Sequence, residues 1–228
     1  MTDLTGKRYL VAGGTGDVGS AIVGVLLSRG AQVLVPARDA VKAERLRAEV
    51  GSERLTIIAG NVATVAGAES VAAQIETPLS GVVASLGGWW QGPPLTAVSP
   101  FDWDAILAGN LTSHFAAARA FVPLIDARGG GYVQILGAAA EYPIPGSSLV
   151  SVTASAVAMM GRLMLAENAD AHVAFRQVMI ASIVATRART EADPSWVTAE
   201  EVGAVVADIL NMPDLTPAVT RIEQHHTA

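Results

Sequence analysis

The sequence predicts an α/β protein: one doubly wound parallel sheet of about seven strands with helices on both faces. Three observations carry that expectation. Short β-branched runs alternate with longer alanine- and leucine-rich stretches, the order of βαβ units. The runs are apolar on both faces, as strands covered by helices on each side must be. A glycine-rich turn stands at the first strand–helix junction. At 228 residues, with neither an internal repeat nor a low-complexity linker, residues 1–228 read as a single domain.

The strands are expected at Arg8–Ala12, Gln32–Pro36, Leu55–Ala59, Gly81–Leu86, Tyr132–Leu136, Val173–Ile180 and, from a weaker signal, Ala218–Ile222. The helices are expected at Asp17–Arg29, Ala40–Val50, Val65–Ile75, Pro100–Ala127, Leu149–Asn168 and Thr198–Leu210. Ser99 before Pro100 supplies an N-cap and a first-turn proline. Gly30 and Gly51 follow helices where C-caps belong, and Gly129–Gly130–Gly131 is read as closing the long fourth helix.

Composition excludes several classes. Half of the residues are hydrophobic (51%), 16% are charged and the net charge is -6, with no basic block for nucleic acid or an anionic membrane. Cysteine is absent, which removes disulfides and thiolate metal sites; no metal is expected. No apolar stretch reaches the roughly 18 residues of a membrane span, since Arg162 interrupts Ala154–Ala166. The N-terminus enters a strand directly, without a leader pattern. A cytoplasmic protein is the expectation.

The turn VAGGTGDVGS, Val11 to Ser20, carries the first chemistry. Gly13, Gly16 and Gly19 permit a tight turn, close approach of a pyrophosphate, and close helix–strand packing. The helix start then offers free N–H groups and positive partial charge to phosphates. With Thr15, Asp17 and Val18, these glycines form the candidate cradle of a Rossmann-type dinucleotide-binding domain. After the second strand no acid stands ready for both ribose hydroxyls. Arg38 is there instead, and a guanidinium favours a 2′-phosphate, hence NADP(H) over NAD(H).

These residues and several others resemble the short-chain dehydrogenase/reductase family from about Lys7 to Ile222. The glycine spacing is similar to the Gly-x-x-Gly-x-x-Gly of its extended and atypical members; the middle glycine of standard members falls at Asp17. Asn61-Val62 resembles the family's Asp-Val at adenine. Trp103, Asn110, Leu111, Phe115 and Pro123 match a Trp-x(6)-Asn-Leu-x(3)-Phe pattern with a later proline. Ser85 lies in the Ala84–Gly87 stretch that replaces Asn-Asn-Ala-Gly, and Thr186 fits the threonine after the sixth strand. The resemblance implies that these positions contact the cofactor, and that Asn110 bends its helix and holds a relay water.

The same resemblance exposes a loss. Leu149–Leu163 reads LVSVTASAVAMMGRL, similar to the family's Tyr-x-Ala-Ser-Lys helix. Ala154, Ser155 and Gly161 match, which places Val152 at the tyrosine and Ala156 at the lysine. The serine position falls in Gly137–Ala140, which lacks a hydroxyl. A free tyrosine has a pKa near 10, and a lysine one turn away lowers it and holds the nicotinamide ribose. The only lysines, Lys7 and Lys42, lie elsewhere. Tyr142 is the leading substitute donor, with His114 behind it; Ser147, Ser148, Ser151, Thr153 and Glu141 are further polar candidates.

Three functions are compatible with these residues: an NADP(H)-binding oxidoreductase with a degenerate site, a silent nucleotide-binding protein, or a non-redox enzyme on the same scaffold. Trp89-Trp90 would wall an apolar substrate pocket or meet a partner subunit. The helices over 100–127 and 149–168 imply, by the resemblance, a homodimer or homotetramer. A short lid is expected over Arg187–Ser195.

Overall fold

The structure is a computed structural model that describes residues 2–76, 78–168, 172–186, 189 and 193–225. Its main sheet holds β1 (Arg8–Ala12), β2 (Gln32–Ala37), β3 (Leu55–Ala59), β4 (Gly81–Ala84), β5 (Gly130–Gly137), β6 (Val173–Ala181) and β9 (Val219–Glu223). Their order is β3-β2-β1-β4-β5-β6-β9, and every pairing is parallel. The order reverses direction between β1 and β4. In such sheets that reversal opens a crevice at the carboxyl ends of the strands.

Helices cover both faces, so the strands are apolar throughout. On one face α1 (Asp17–Ser28) and α7 (Ala199–Asn211) lay Ile22, Leu26, Val202 and Val206 on Tyr9, Val11 and Val178. On the other, α3 (Val65–Ala72) and α5 (Ser113–Phe121) set Val71, Ala117 and Phe121 over Leu10, Val82 and Tyr132. Each of the larger of these side chains contributes about 1.5–3 kcal/mol on burial. The remaining long helix of the first half, α2 (Ala40–Val50), starts at Asp39, whose carboxylate accepts from the Val41 and Lys42 amides, and ends on Gly51 in the left-handed region.

The expected long helix over Pro100–Ala127 is divided. It begins as α4 (Pro100–Leu107), with Ser99 Oγ accepting from the Asp102 amide. It widens to a π-turn over Ala108–Thr112, resumes as α5, and tightens into a 3₁₀ turn at Val122–Leu124. Pro123 has no N–H for an α-helical bond and marks that end. Gly130 and Gly131 therefore do not close a helix. They open β5, where a Cβ on Gly130 would meet the Ser80 carbonyl and Ile125. A second departure is the small parallel pair β7 (Val184–Ala185) and β8 (Val197–Thr198), unseen in the sequence because two-residue strands carry no periodicity.

Helix α6 (Ser148–Glu167) is, by length and composition, apolar enough to cross a membrane, which corrects the expectation that no segment is. Its position explains the composition. Thr153, Val157, Ala158 and Gly161 are buried against the domain, and Gly161 sits directly on the amides of Gln134 in β5 and Gln177 in β6.

Candidate functional site

A cleft of about 890 Å³ lies at the carboxyl ends of the strands. Its wall includes Gly16–Gly19, Ser85–Trp89, Asn110, His114, Leu136–Ala139, Val150, Thr153, Ala154, Val157, Ser182–Val184 and Thr186. Residues from seven separate stretches of chain meet there, as the sheet order requires.

The glycine turn is built for close approach. Gly13 has φ +85°, and a Cβ there would fall on the Ser85 carbonyl oxygen. A Cβ on Gly19 would fall on the carbonyl of Gly13. The Gly16 amide donates to Gly13 O at 3.0 Å, and Gly16 is the N-cap of α1 without a side-chain cap. The first amides of α1 are thus left for an acceptor from the cleft, the arrangement that suits a phosphate. The chain fits a dinucleotide at this point. Gly16, Asp17, Val18 and Gly19 line the cleft, whereas Thr15 stands beside it.

Ser85 and Thr186 line the cleft. Arg38 is exposed just past β2 and makes no hydrogen bond or ion pair with a described residue. Asn61 folds back on its own turn, its Oδ1 accepting from the Ala63 amide at 3.0 Å, and Val62 packs on the core. Neither lines the cleft.

Asn110 sits in the π-turn and is fully engaged. Its Oδ1 accepts from the Gly88 amide at 2.9 Å while its Nδ2 donates to the Gly88 carbonyl at 3.0 Å. One turn on, His114 is 2% exposed, with Nε2 at 3.3 Å from the Leu86 carbonyl. An Nε2–H donates there, so Nδ1 is a buried acceptor without a partner. Burial drives the His114 pKa down to about 4, the bond to Leu86 opposing it, and the ring is neutral near pH 7. Two side chains of one helix thus hold the loop that follows β4.

Two sequence expectations are corrected. Tyr142 does not reach the cleft: it is 59% exposed and absent from the lining. The register of α6 also differs. Val150, Thr153, Ala154 and Val157 face the cleft, while Val152 lies on the outer face with Met159 and Leu163. Residues two apart on a helix point about 200° apart, so the positions one turn apart over the cleft are Val150 and Ala154. Thr153 Oγ1 is spent on the carbonyls of Leu149 and Val150.

Among the other polar candidates, Ser151 Oγ accepts from the Ile144 amide and Glu141 pairs with Arg221 at 2.5 Å. Ser147 and Ser148 carry buried hydroxyls without a partner and do not line the cleft. Of the expected lid, residues 187, 188 and 190–192 lie outside the described residues. Sequence reasoning missed Arg189 and Gln224 in the wall; no motif marks them, and they follow β7 and β9. Of Trp89-Trp90, expected to wall a pocket or to meet a partner subunit, Trp89 lines the cleft.

Comparison with known proteins points the same way. The family model described as short chain dehydrogenase matches residues 7–195. A "Probable oxidoreductase" of Streptomyces antibioticus is 31% identical over 147 residues, 63% of this chain and 49% of that protein. Nodulation protein G of Rhizobium meliloti is 32% identical over 165 residues, 71% of this chain and 66% of that protein. The chain therefore spans about half to two-thirds of the length of these relatives. A solved short-chain type dehydrogenase/reductase from Mycobacterium ulcerans superposes with a TM-score of 0.87 at 18% identity, covering 96% of this chain and 88% of that one. One from Serratia marcescens gives 0.85 at 22%, covering 96% and 97%. These two likenesses concern the fold.

Proposed function

Since the chain belongs to the short-chain dehydrogenase family, matched over residues 7–195, we propose that it is an NADP(H)-binding oxidoreductase working without the family's serine–tyrosine–lysine relay. Family membership implies a nicotinamide dinucleotide as cofactor. The observation that carries the reading is the cradle of Gly13, Gly16 and Gly19 opening into a cleft at the reversal of strand order. Asp17, Val18, Ser85 and Thr186 would flank the dinucleotide, with Thr15 behind the turn. Asn61 and Val62 stand on the adenine side. The preference for NADP(H) over NAD(H) rests on Arg38, an exposed cation just past β2 with no partner among the described residues, of the kind that favours a 2′-phosphate.

When bound, the dinucleotide supplies or accepts a hydride; the chain's part is binding, orientation and exclusion of water. Val150, Ala154 and Gly137–Ala139 at the cleft carry no ionisable side chain, so these positions supply no proton to a carbonyl reduction. Asn110 acts through the Gly88 loop as a positioning residue, and Tyr142, distant from the lining, is not assigned the donor's role. The apolar wall favours one alternative: a protein that holds the nucleotide without redox turnover, or that uses the pocket for non-redox chemistry.

The reading includes a soluble cytoplasmic homodimer, or a tetramer built from it. Helices α4 and α6 pack together, and Phe101 and Trp103 of α4, Phe115 of α5 and Met159 and Leu163 of α6 are exposed in the single chain. That apolar face suits a second copy.

Calorimetry or NADPH fluorescence tests the core of this proposal. Micromolar or tighter NADPH binding is expected, with Arg38→Ala losing NADPH affinity and leaving NADH affinity nearly unchanged. Absence of binding to either nucleotide would overturn it. Tight binding with no oxidation across a panel of carbonyl compounds would select the non-redox alternative.

A further inference from the structure

Arg189 is a cation in the cleft wall that the family resemblance did not mark. It lines the same cleft as Gly16, Asp17, Val18 and Thr186, and it is held from two sides. Its Nη1 donates to the Val184 carbonyl at 2.8 Å, and its guanidinium carbon lies 5.7 Å from the centre of the Trp196 ring. Its backbone amide donates to Thr186 O at 3.0 Å. Val184 begins β7 and Trp196 immediately precedes β8, and these two strands pair in parallel. The small sheet that the sequence did not reveal is therefore the frame that carries this side chain.

What the guanidinium lacks is an anion. It makes no ion pair with a carboxylate among the described residues, although an arginine carries five N–H donors and the Val184 carbonyl occupies only one of the nitrogens. The wall of the cleft also holds a negative charge, Asp17, where standard members of the family have glycine. A pyrophosphate entering the glycine turn meets that carboxylate. A fixed cation lining the same cleft offsets the repulsion, and the planar fork of arginine matches phosphate oxygens two at a time.

We infer that Arg189, steadied by Val184 and Trp196, anchors the pyrophosphate of the dinucleotide across the cleft from the glycine turn. This inference rests on the dinucleotide reading given above. It makes Arg189 a binding residue distinct in duty from Arg38, which addresses the 2′-phosphate at the far end of the adenosine.

Three ligands separate the duties: NADPH, 2′-phospho-ADP-ribose, which keeps the pyrophosphate and lacks nicotinamide, and adenosine 2′-monophosphate, which has no pyrophosphate. Their dissociation constants are measured by calorimetry for the full chain, Arg189→Ala, Arg189→Lys and Trp196→Phe. Loss of a charge-assisted hydrogen bond predicts that Arg189→Ala weakens the first two ligands by about tenfold to a hundredfold. Adenosine 2′-monophosphate should change by less than about twofold on the same scale of effects. Lysine restores part of the loss because it keeps the charge without the fork, and Trp196→Phe gives a smaller loss of the same pattern. Unchanged NADPH binding in Arg189→Ala overturns the inference, as does equal weakening of all three ligands. Failure of the unaltered chain to bind NADPH removes the dinucleotide reading itself, a different result.

Discussion

Asn110 and Gly88 exchange two hydrogen bonds, the side-chain amide of one closing on the backbone N–H and C=O of the other at 2.9 and 3.0 Å. This pairing ties the π-turn between α4 and α5 to the loop after β4. Gly87, just before it, takes φ +99° and lies against the Asn110 amide. The loop's path along the cleft therefore depends on one side chain. Asn110→Asp keeps the acceptor and replaces the donor by an oxygen facing the Gly88 carbonyl. A loss of about 1–3 kcal/mol in urea unfolding is expected, together with weaker NADPH binding; an aspartate variant equal to wild type in both would remove the clamp.

His114 makes stability depend on pH in a definite direction. Its folded pKa, about 4, lies below the ordinary 6.5 because burial disfavours the charged ring. The unfolded chain binds the proton more readily, so stability is full above about pH 6.5 and declines as pH falls towards about 4. The interval corresponds to on the order of 3 kcal/mol. Carboxylates titrate in the lower part of this range, so the contrast with His114→Gln isolates the histidine: between pH 7 and 5 the variant should lose less stability than the native chain. Parallel denaturation curves for the two across that range would contradict the assignment.

Gly161 and Gly24 form a matched pair of tests. A Cβ at Gly161 would strike both the Gln177 and Gln134 amides, whereas one at Gly24, within α1, meets nothing within 4 Å. Gly161→Ala should destabilise by about 1–3 kcal/mol through overpacking. Gly24→Ala should stabilise by about 0.5–1 kcal/mol through helix propensity. Thermal melts read both, and opposite signs are the expected outcome.

Asp17 sets affinity against helix stability. It stands in the first turn of α1, where a carboxylate favours the helix dipole by about 0.3–1 kcal/mol. The same charge lines the cleft, where it would repel the phosphates of the proposed nucleotide. Asp17→Asn should tighten NADPH binding several-fold at low salt while slightly lowering the melting temperature, and added salt should shrink the gain. Weaker binding in the variant would mean that the carboxylate points away from the nucleotide.

The exposed outer face of α6 supplies a test of assembly. Leu163 and Met159 are each half exposed in the single chain. Leu163→Glu should convert the proposed dimer to a monomer in light scattering without changing the far-ultraviolet circular dichroism. A native chain already monomeric at micromolar concentration removes the dimer from the reading.

Local rules made much of this protein legible before any coordinates. Alternating β-branched runs, Ser99-Pro100 and the triplet Gly13, Gly16, Gly19 are signals within a few residues, and the parallel sheet and phosphate turn arise from them. Other features depend on directions in space. Helix α6 could be read as carrying Val152 and Ala156 inward because the letters match, yet its apolar residues are spread too evenly to specify a face. Packing of Gly161 on the Gln134–Gln177 pair decides the rotation, and with it the exposure of Val150 and Ala154 to the cleft. Tyr142 stood near the site in sequence, yet its side chain is exposed and does not line the cleft, although Ala139 and Ile144 on either side of it do. Arg189 was silent in sequence, since its meaning comes from β7 and β8, two residues each. Sequence alone determined the fold class and the glycine turn. The tertiary structure alone decided which side chains share the cleft, because that depends on helix rotation and on contacts between distant strand ends.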